Sequence, residues 1–363
     1  MKAPFVYFGG KSRIAPEIWQ ALGQPVHYIE PFFGSGAVLL ARKNYNPKKH
    51  VETVCDADGN IANVWRALRA DPEAVGKMCD WPVNHADLIA RRGRLNSESK
   101  SLLEKLCADE TYYDARLAGY WIWGASCSIG SGMLGSGSRP ALTEKARGVQ
   151  ASGAIPRISR AGSGVNTDKA RPHLTSAGQG SHSGGKSIPH LGSGMSVHAK
   201  AKQSAPKNPA VDLEAPYKEG LYVWFRRLSE RLRNVRVVCG DWSRVCGGNW
   251  QTGMGTCGIF FDPPYGAAAD RTDGIYAIDS LTVAPEVQAW CKAHGNDPKM
   301  RIVLAGYSEE HKALLEEGWR EHAWVAQGGY ANQGKGGGKN KKNRFKEALF
   351  LSPHCRAINY GLL

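Results

Sequence analysis

The stretch from Gly258 to Gly266 reads Gly-Ile-Phe-Phe-Asp-Pro-Pro-Tyr-Gly and carries residues well equipped for chemistry. An apolar run of strand length ends at Asp262, and Pro263, Pro264 and Tyr265 follow. The two prolines lack N–H groups and fix φ, so the chain must leave a sheet here as a stiff loop with outward carbonyls. In an open α/β sheet, ligands bind at the carboxyl ends of the strands. Asp262 and a neighbouring backbone carbonyl can together accept both hydrogens of an exocyclic amino group. Tyr265 offers a ring face to a planar base. An ordinary proline-rich turn after a buried strand would read the same way at this one site.

Other carboxylates recur at strand ends. Val26 to Glu30 is an apolar segment of strand length, followed by the turn Pro31-Phe32-Phe33-Gly34-Ser35-Gly36 and a helix beginning over Ala37 to Arg42. Gly34 and Gly36 let backbone approach a ligand closely. A second strand, Val51 to Cys55, ends at Asp56, where a carboxylate after a glycine turn and a helix can accept ribose hydroxyls. Glu30-Pro31 stands where a dinucleotide fold has its first glycine, and a carboxylate there repels pyrophosphate. It suits a cofactor bearing an ammonium and a sulfonium, as S-adenosylmethionine does. Asp241 lies at the exit of the strand Val235 to Cys239, where it either accepts from a cofactor adenine or caps the next turn.

At the amino terminus Tyr7-Phe8-Gly9-Gly10-Lys11-Ser12-Arg13 precedes a helix expected over Ile14 to Leu22. The glycine that a phosphate loop needs upstream of Gly10-Lys11 is missing, and no clear strand precedes it. The segment reads instead as a pliable turn carrying Lys11 beside a site, with Tyr7 close behind.

These residues need a framework. Asp58 and Asn60 are placed to cap a helix over Ile61 to Leu68, and 72–125 is largely helical, with Trp121 and Trp123 as core or as a wall near substrate. A helix over Tyr217 to Leu232 leads into the strand ending at Cys239. A helix near 283–293, a strand over Arg301 to Ala305 and a helix from Ser308 to Glu317 follow the Asp262 loop. Trp324-Val325-Ala326 and Ala348 to Leu351 read as two last strands around a loop at 328–345. The sum is an α/β chain with a mostly parallel sheet and a late antiparallel addition.

Composition separates one segment from the rest. Residues 126–210 hold 14 glycines and 15 serines, with 11 Lys/Arg against 2 Asp/Glu, and read as a long flexible insertion that opens with an ordered Gly130 to Gly135. Residues 331–347 hold 6 Lys/Arg against one Glu, and the two segments contain the whole formal excess of +14. Such charge fits a polyanion, nucleic acid foremost, or serves solubility. Arg147, Arg157, Arg160, Lys169 and Arg171 are spaced to follow a phosphate backbone. The 363-residue chain has no apolar run of membrane-spanning length and no signal-type start. Nine cysteines, an odd count irregularly spaced, fit a reducing, cytoplasmic setting, and Cys239, Cys246 and Cys257 are too far apart for a zinc site.

Taken together, Tyr7-Phe8-Gly9-Gly10-Lys11, Glu30 to Gly36, Cys55-Asp56 and Asp262-Pro263-Pro264-Tyr265 resemble, in order and type, the Dam-like adenine-specific DNA methyltransferases of the alpha arrangement. The ending Asn343 to Phe350 is similar to that family's closing strand. The resemblance implies a Rossmann-like fold, with 1–70 and 215–363 as catalytic domain and 71–214 as target-recognition insertion. It implies S-adenosylmethionine as cofactor, with Glu30 and the Phe32, Gly34, Ser35, Gly36 turn at its methionine end, Asp56 at its ribose, and Tyr7 and Lys11 on its side of the site. Asp262, Pro263, Pro264 and Tyr265 would hold a flipped adenine of double-stranded DNA. No membrane or metal is implied, and the resemblance leaves protein partners and oligomeric state open, a monomer among them. Ser35 departs from the glycine common at that place. Rival readings are a cytosine amino-methyltransferase, closer to Ser-Pro-Pro-Tyr, an RNA methyltransferase, a glutamine-modifying enzyme, closer to Asn-Pro-Pro-Tyr, and a DNA-binding module without activity.

Overall fold

A computed structural model describes residues 1–5, 7, 10–127, 215–248, 252–264, 282–324 and 347–358. The Gly/Ser insertion from 128 onward, the Gly130 to Gly135 segment, Tyr265 and the loop 328–345 lie outside those residues. Two compact units make up the chain, one from Met1–Tyr7 and Asn63–Arg233, the other from Phe8–Ala62 and Asn234–Leu363.

The second unit is built on a sheet. Its strands among the described residues are β1 (His27–Glu30), β2 (Val51–Asp56), β3 (Val235–Cys239), β4 (Cys257–Phe261), β5 (Met300–Tyr307), β6 (Arg320–Ala323) and β7 (Glu347–Leu351), in the order β3-β2-β1-β4-β5-β7-β6. The first five are parallel, and β7 runs antiparallel to both β5 and β6. Every residue of β4 is buried, as expected for a central strand covered on both faces. From β1 the chain winds outward one way to β2 and β3, then returns to place β4 on β1's other side, Ile29 level with Ile259. In open α/β sheets such a reversal of strand order, here at the carboxyl ends of β1 and β4, is where ligands bind.

Ile29, Ile259, Phe261, Ile302, Leu304 and Phe350 share one core with Trp242 and Val245, around helix α8 (Ser243–Cys246), and Val287 and Cys291 of helix α9 (Val283–His294). Helix α1 (Ala15–Leu22) and helix α2 (Ala37–Leu40) belong to the same unit, where Trp19 Nε1 donates to the Val38 carbonyl at 2.7 Å. Beside them Arg42 and Glu52 form a fully buried ion pair at 3.1 Å, and Arg42 also donates to the Pro25 carbonyl at 2.6 Å.

The first unit is helical. Beyond the start of α3 (Gly59–Ala70) it holds α4 (Pro72–Cys79), α5 (His85–Ala108), α6 (Ala115–Cys127) and α7 (Ala215–Leu232). Trp121 and Trp123 are core here, Phe5 meeting Trp121 edge to face at 4.7 Å. Asn63 exchanges two hydrogen bonds with the backbone of Asp114, joining α3 to the start of α6. By compactness α7 and most of α3 group with these helices, and the units divide at 62 and 233.

Several elements differ from the sequence expectation. Asp58 does cap α3, its Oδ1 accepting from Asn60 N at 2.8 Å, but Asn60 sits inside the first helical turn. Helix α7 breaks at Gly220, at φ 79°. The expected helix from Ser308 to Glu317 is α10 (Ser308–His311) followed by a 3-10 turn over Lys312–Glu317. The penultimate strand lies at Arg320–Ala323, before Trp324, because an edge strand with only His322 buried carries no apolar alternation.

Candidate active site

Strand β1 ends in Glu30, which is 2% exposed. Its Oε2 accepts from the Tyr28 hydroxyl at 2.9 Å and from Leu39 N, in α2, at 3.2 Å. Burial raises its pKa well above the ordinary value against the pull of those two bonds, and the nearby charges of Asp262 and Glu52 push the same way. Between Glu30 and α2 the chain turns through Gly34 at φ 47° and Gly36 at φ 64°, values that favour glycine. Asn44 is the one described non-glycine residue with positive φ, so Ser35 occupies ordinary backbone and the serine is accommodated. The Phe32 ring packs on the core, 6.3 Å from Phe261, which leaves its backbone for a ligand.

Strand β2 ends in Asp56, whose two oxygens brace the turn. Oδ2 accepts from Gly34 N at 2.8 Å and Oδ1 from Asp58 N at 2.9 Å. Burial, then the charge of Asp58, lift its pKa from 3.8 to about 7, although both backbone bonds oppose the shift. One strand further out, Asp241 is exposed and its Oδ1 accepts from Ser243 N at 2.9 Å and Ser243 Oγ at 2.5 Å. It therefore braces the turn that leads into the short α8.

Strand β4 releases the chain at Asp262, with Pro263 buried and Pro264 half-buried after it. Lys11, 3% exposed, places Nζ 2.9 Å from Asp262 Oδ1. Its own carbonyl accepts from Ala15 N at 2.9 Å, so the first turn of α1 fixes the lysine's stem. Burial raises the Asp262 pKa, while the Lys11 charge and hydrogen bond hold the rise in check. Lys11 thus stands against the carboxylate that the sequence reading expects to hold an amine. Tyr7 belongs to the helical unit, its ring edge-on to Phe5 at 6.4 Å. Sequence reading passed over Tyr307, the last residue of β5, one strand along from Asp262. Burial raises its phenol pKa, with Glu347 and Glu310 adding to the rise and Lys11 opposing it. Its position before Ser308-Glu309-Glu310 was the available signal.

The unit thus brings Lys11, Glu30, Gly34, Ser35, Gly36, Asp56 and Asp262 together along neighbouring strand ends. Glu30 is a buried carboxylate that a bound ammonium would relieve, and Asp56 retains a lone pair on each oxygen for a hydroxyl donor. The residues therefore fit S-adenosylmethionine.

A glycine turn after β1, carboxylates closing three neighbouring parallel strands and a single reversed strand, β7, give a Rossmann-like fold of the S-adenosylmethionine-dependent methyltransferase kind. Within it, residues 7–127 match the family model of the D12 class N6 adenine-specific DNA methyltransferases. The match takes in Lys11, the glycine turn and Asp56 and ends before β3, so Asp262 lies outside it. No curated protein matches the chain.

Proposed function

We propose that this chain is a DNA methyltransferase that methylates the N6 amino group of a flipped adenine in double-stranded DNA. The observation that carries the reading is Asp262, emerging from the buried β4 beside Glu30 at the point where the sheet reverses direction.

S-adenosylmethionine, when bound, supplies a methyl group made electrophilic by its sulfonium. Glu30 offers its carboxylate to the ammonium end, Asp56 offers acceptors to the ribose, and Asp241 remains a candidate for the adenine amino group. Asp262 and the Pro263 carbonyl accept the two hydrogens of the target amino group and orient its nitrogen. As positive charge grows on that nitrogen, both acceptors bind it more tightly, so their contribution goes into the rate rather than into substrate binding alone. Lys11 now occupies the donor position at Asp262. An entering amine must share that carboxylate with Lys11 or displace it. Tyr265 supplies the stacking face that helps offset unstacking of the base, a cost of a few kcal/mol. The basic stretch within 126–210 supplies phosphate contacts.

Labelled methyl transfer into duplex DNA, single-stranded RNA and protein tests the substrate class. Incorporation into duplex DNA is expected. Transfer into RNA or protein alone would overturn the reading.

A further inference from the structure

Strand β5 runs on past the point where β4 ends. Phe261 is level with Leu304, and β5 continues through Ala305 and Gly306 to Tyr307. Side chains alternate across a sheet. Ile259, Phe261, Ile302 and Leu304 face one shared core, so Tyr307 faces the other side, as Asp262 does one position beyond Phe261. Glu347 of β7 is the cross-strand partner of Tyr307 and shares that face. Helix α1 covers it, since a Cβ at Gly258 would lie 2.6 Å from Pro25 Cγ and 3.5 Å from Leu22 Cδ2. Lys11 stands just before α1 and sets its ammonium 2.9 Å from Asp262 Oδ1. Its charge also reaches the Tyr307 phenol, where it opposes the pKa rise produced by burial, Glu347 and Glu310. Lys11 therefore has acceptors on two sides of it, Asp262 at the end of β4 and the half-buried Tyr307 hydroxyl, with Glu347 opposite, on the next strands.

We propose that Tyr307 is a positioning residue for methyl transfer, receiving the Lys11 ammonium when the target amino group takes the lysine's place on Asp262. This rests on the function proposed above and adds to it the group that lets Asp262 change partners. A buried ammonium driven off its carboxylate with no second acceptor is strongly unfavourable. Tyr307 Oη supplies that acceptor, and its own proton goes to a neighbouring carboxylate, Glu347 or Glu310. Lys11 keeps its charge throughout, and no covalent bond changes. The device acts after DNA is bound, at the moment the base enters, so it governs the rate of transfer more than the affinity for duplex.

The test is a double-mutant cycle on the single-turnover rate of methyl transfer to a duplex that the wild type methylates, at a pH above the acid limb. Tyr307→Phe should slow transfer about tenfold, with the affinities for duplex and for S-adenosylhomocysteine little changed. Glu347→Gln should follow the same pattern, and it carries the cycle should Tyr307→Phe not fold. In a Lys11→Met background, where no ammonium has to move, either substitution should cost nothing further. An unchanged rate in both Tyr307→Phe and Glu347→Gln would overturn the proposal, and so would equal losses with and without Lys11. Complete loss of transfer in folded Lys11→Met would also overturn it, because a lysine that only steps aside is dispensable. If the wild type methylated no duplex, the functional reading itself would fall. Methylation without coupling to Lys11 would remove Tyr307 alone.

Discussion

Lys11 Nζ and Asp262 Oδ1 lie 2.9 Å apart although 251 positions separate them, the lysine buried and the carboxylate partly open. The ammonium lowers the Asp262 pKa that burial has raised. Lys11→Met should therefore raise it further. The acid limb of kcat/KM against pH should move to higher pH, because Asp262 must be ionised to accept from the amino group. An unmoved limb in a folded Lys11→Met protein would separate Lys11 from the chemistry.

Asp56 makes a second pH-dependent statement. Its pKa is about 7 in the folded chain against an ordinary 3.8. A raised carboxylate contributes stability that is complete below the ordinary value and is lost as pH rises through about 7. Asp56→Asn should flatten the fall in stability between pH 4 and pH 7, by on the order of a few kcal/mol. It should also weaken cofactor binding at pH 8, where the wild-type group is ionised. Urea unfolding across pH checks the first outcome, and calorimetry at pH 8 checks the second.

The buried pair Arg42 and Glu52 predicts an asymmetry. Removing one partner leaves a buried charge uncompensated, so Glu52→Ala should cost about 3–5 kcal/mol in urea unfolding. Replacing both with apolar residues of similar volume should cost much less. Equal costs would mean that lost packing, and not charge, dominates.

How much of this was legible in the sequence follows from which forces act locally. Strands β2, β3 and β4 are apolar runs that end at carboxylates or a glycine exit, and the residues alone located them within a position or so. Strand β6 was not legible, because an edge strand with one buried side chain does not alternate. The glycine turn was legible, and its single departure, Ser35, is harmless because its backbone is ordinary. The Lys11–Asp262 contact left no sequence pattern, being made by tertiary packing alone. Asp241 was readable as either of two roles, and only the positions of Ser243 N and Oγ revealed the turn that it braces. Asn60 was expected at a helix cap, and Asp58 takes that place.

The basic Gly/Ser stretch predicts a salt-dependent share of DNA affinity. Deleting 140–205 removes 7 net positive charges. Binding to a duplex measured at several salt concentrations should weaken, with a shallower dependence of log K on log salt. An unchanged affinity and slope would leave the stretch as a solubilising linker.

The central claim is that Asp262 holds an adenine amino group for methylation. Its most direct test is nucleoside analysis of duplex DNA treated with cofactor and either the wild-type chain or Asp262→Ala, with cofactor binding measured in parallel. The account predicts N6-methyladenine from the wild type, and none from an Asp262→Ala protein that still binds cofactor. Methylated cytosine in place of adenine, or robust adenine methylation by folded Asp262→Ala, would contradict it.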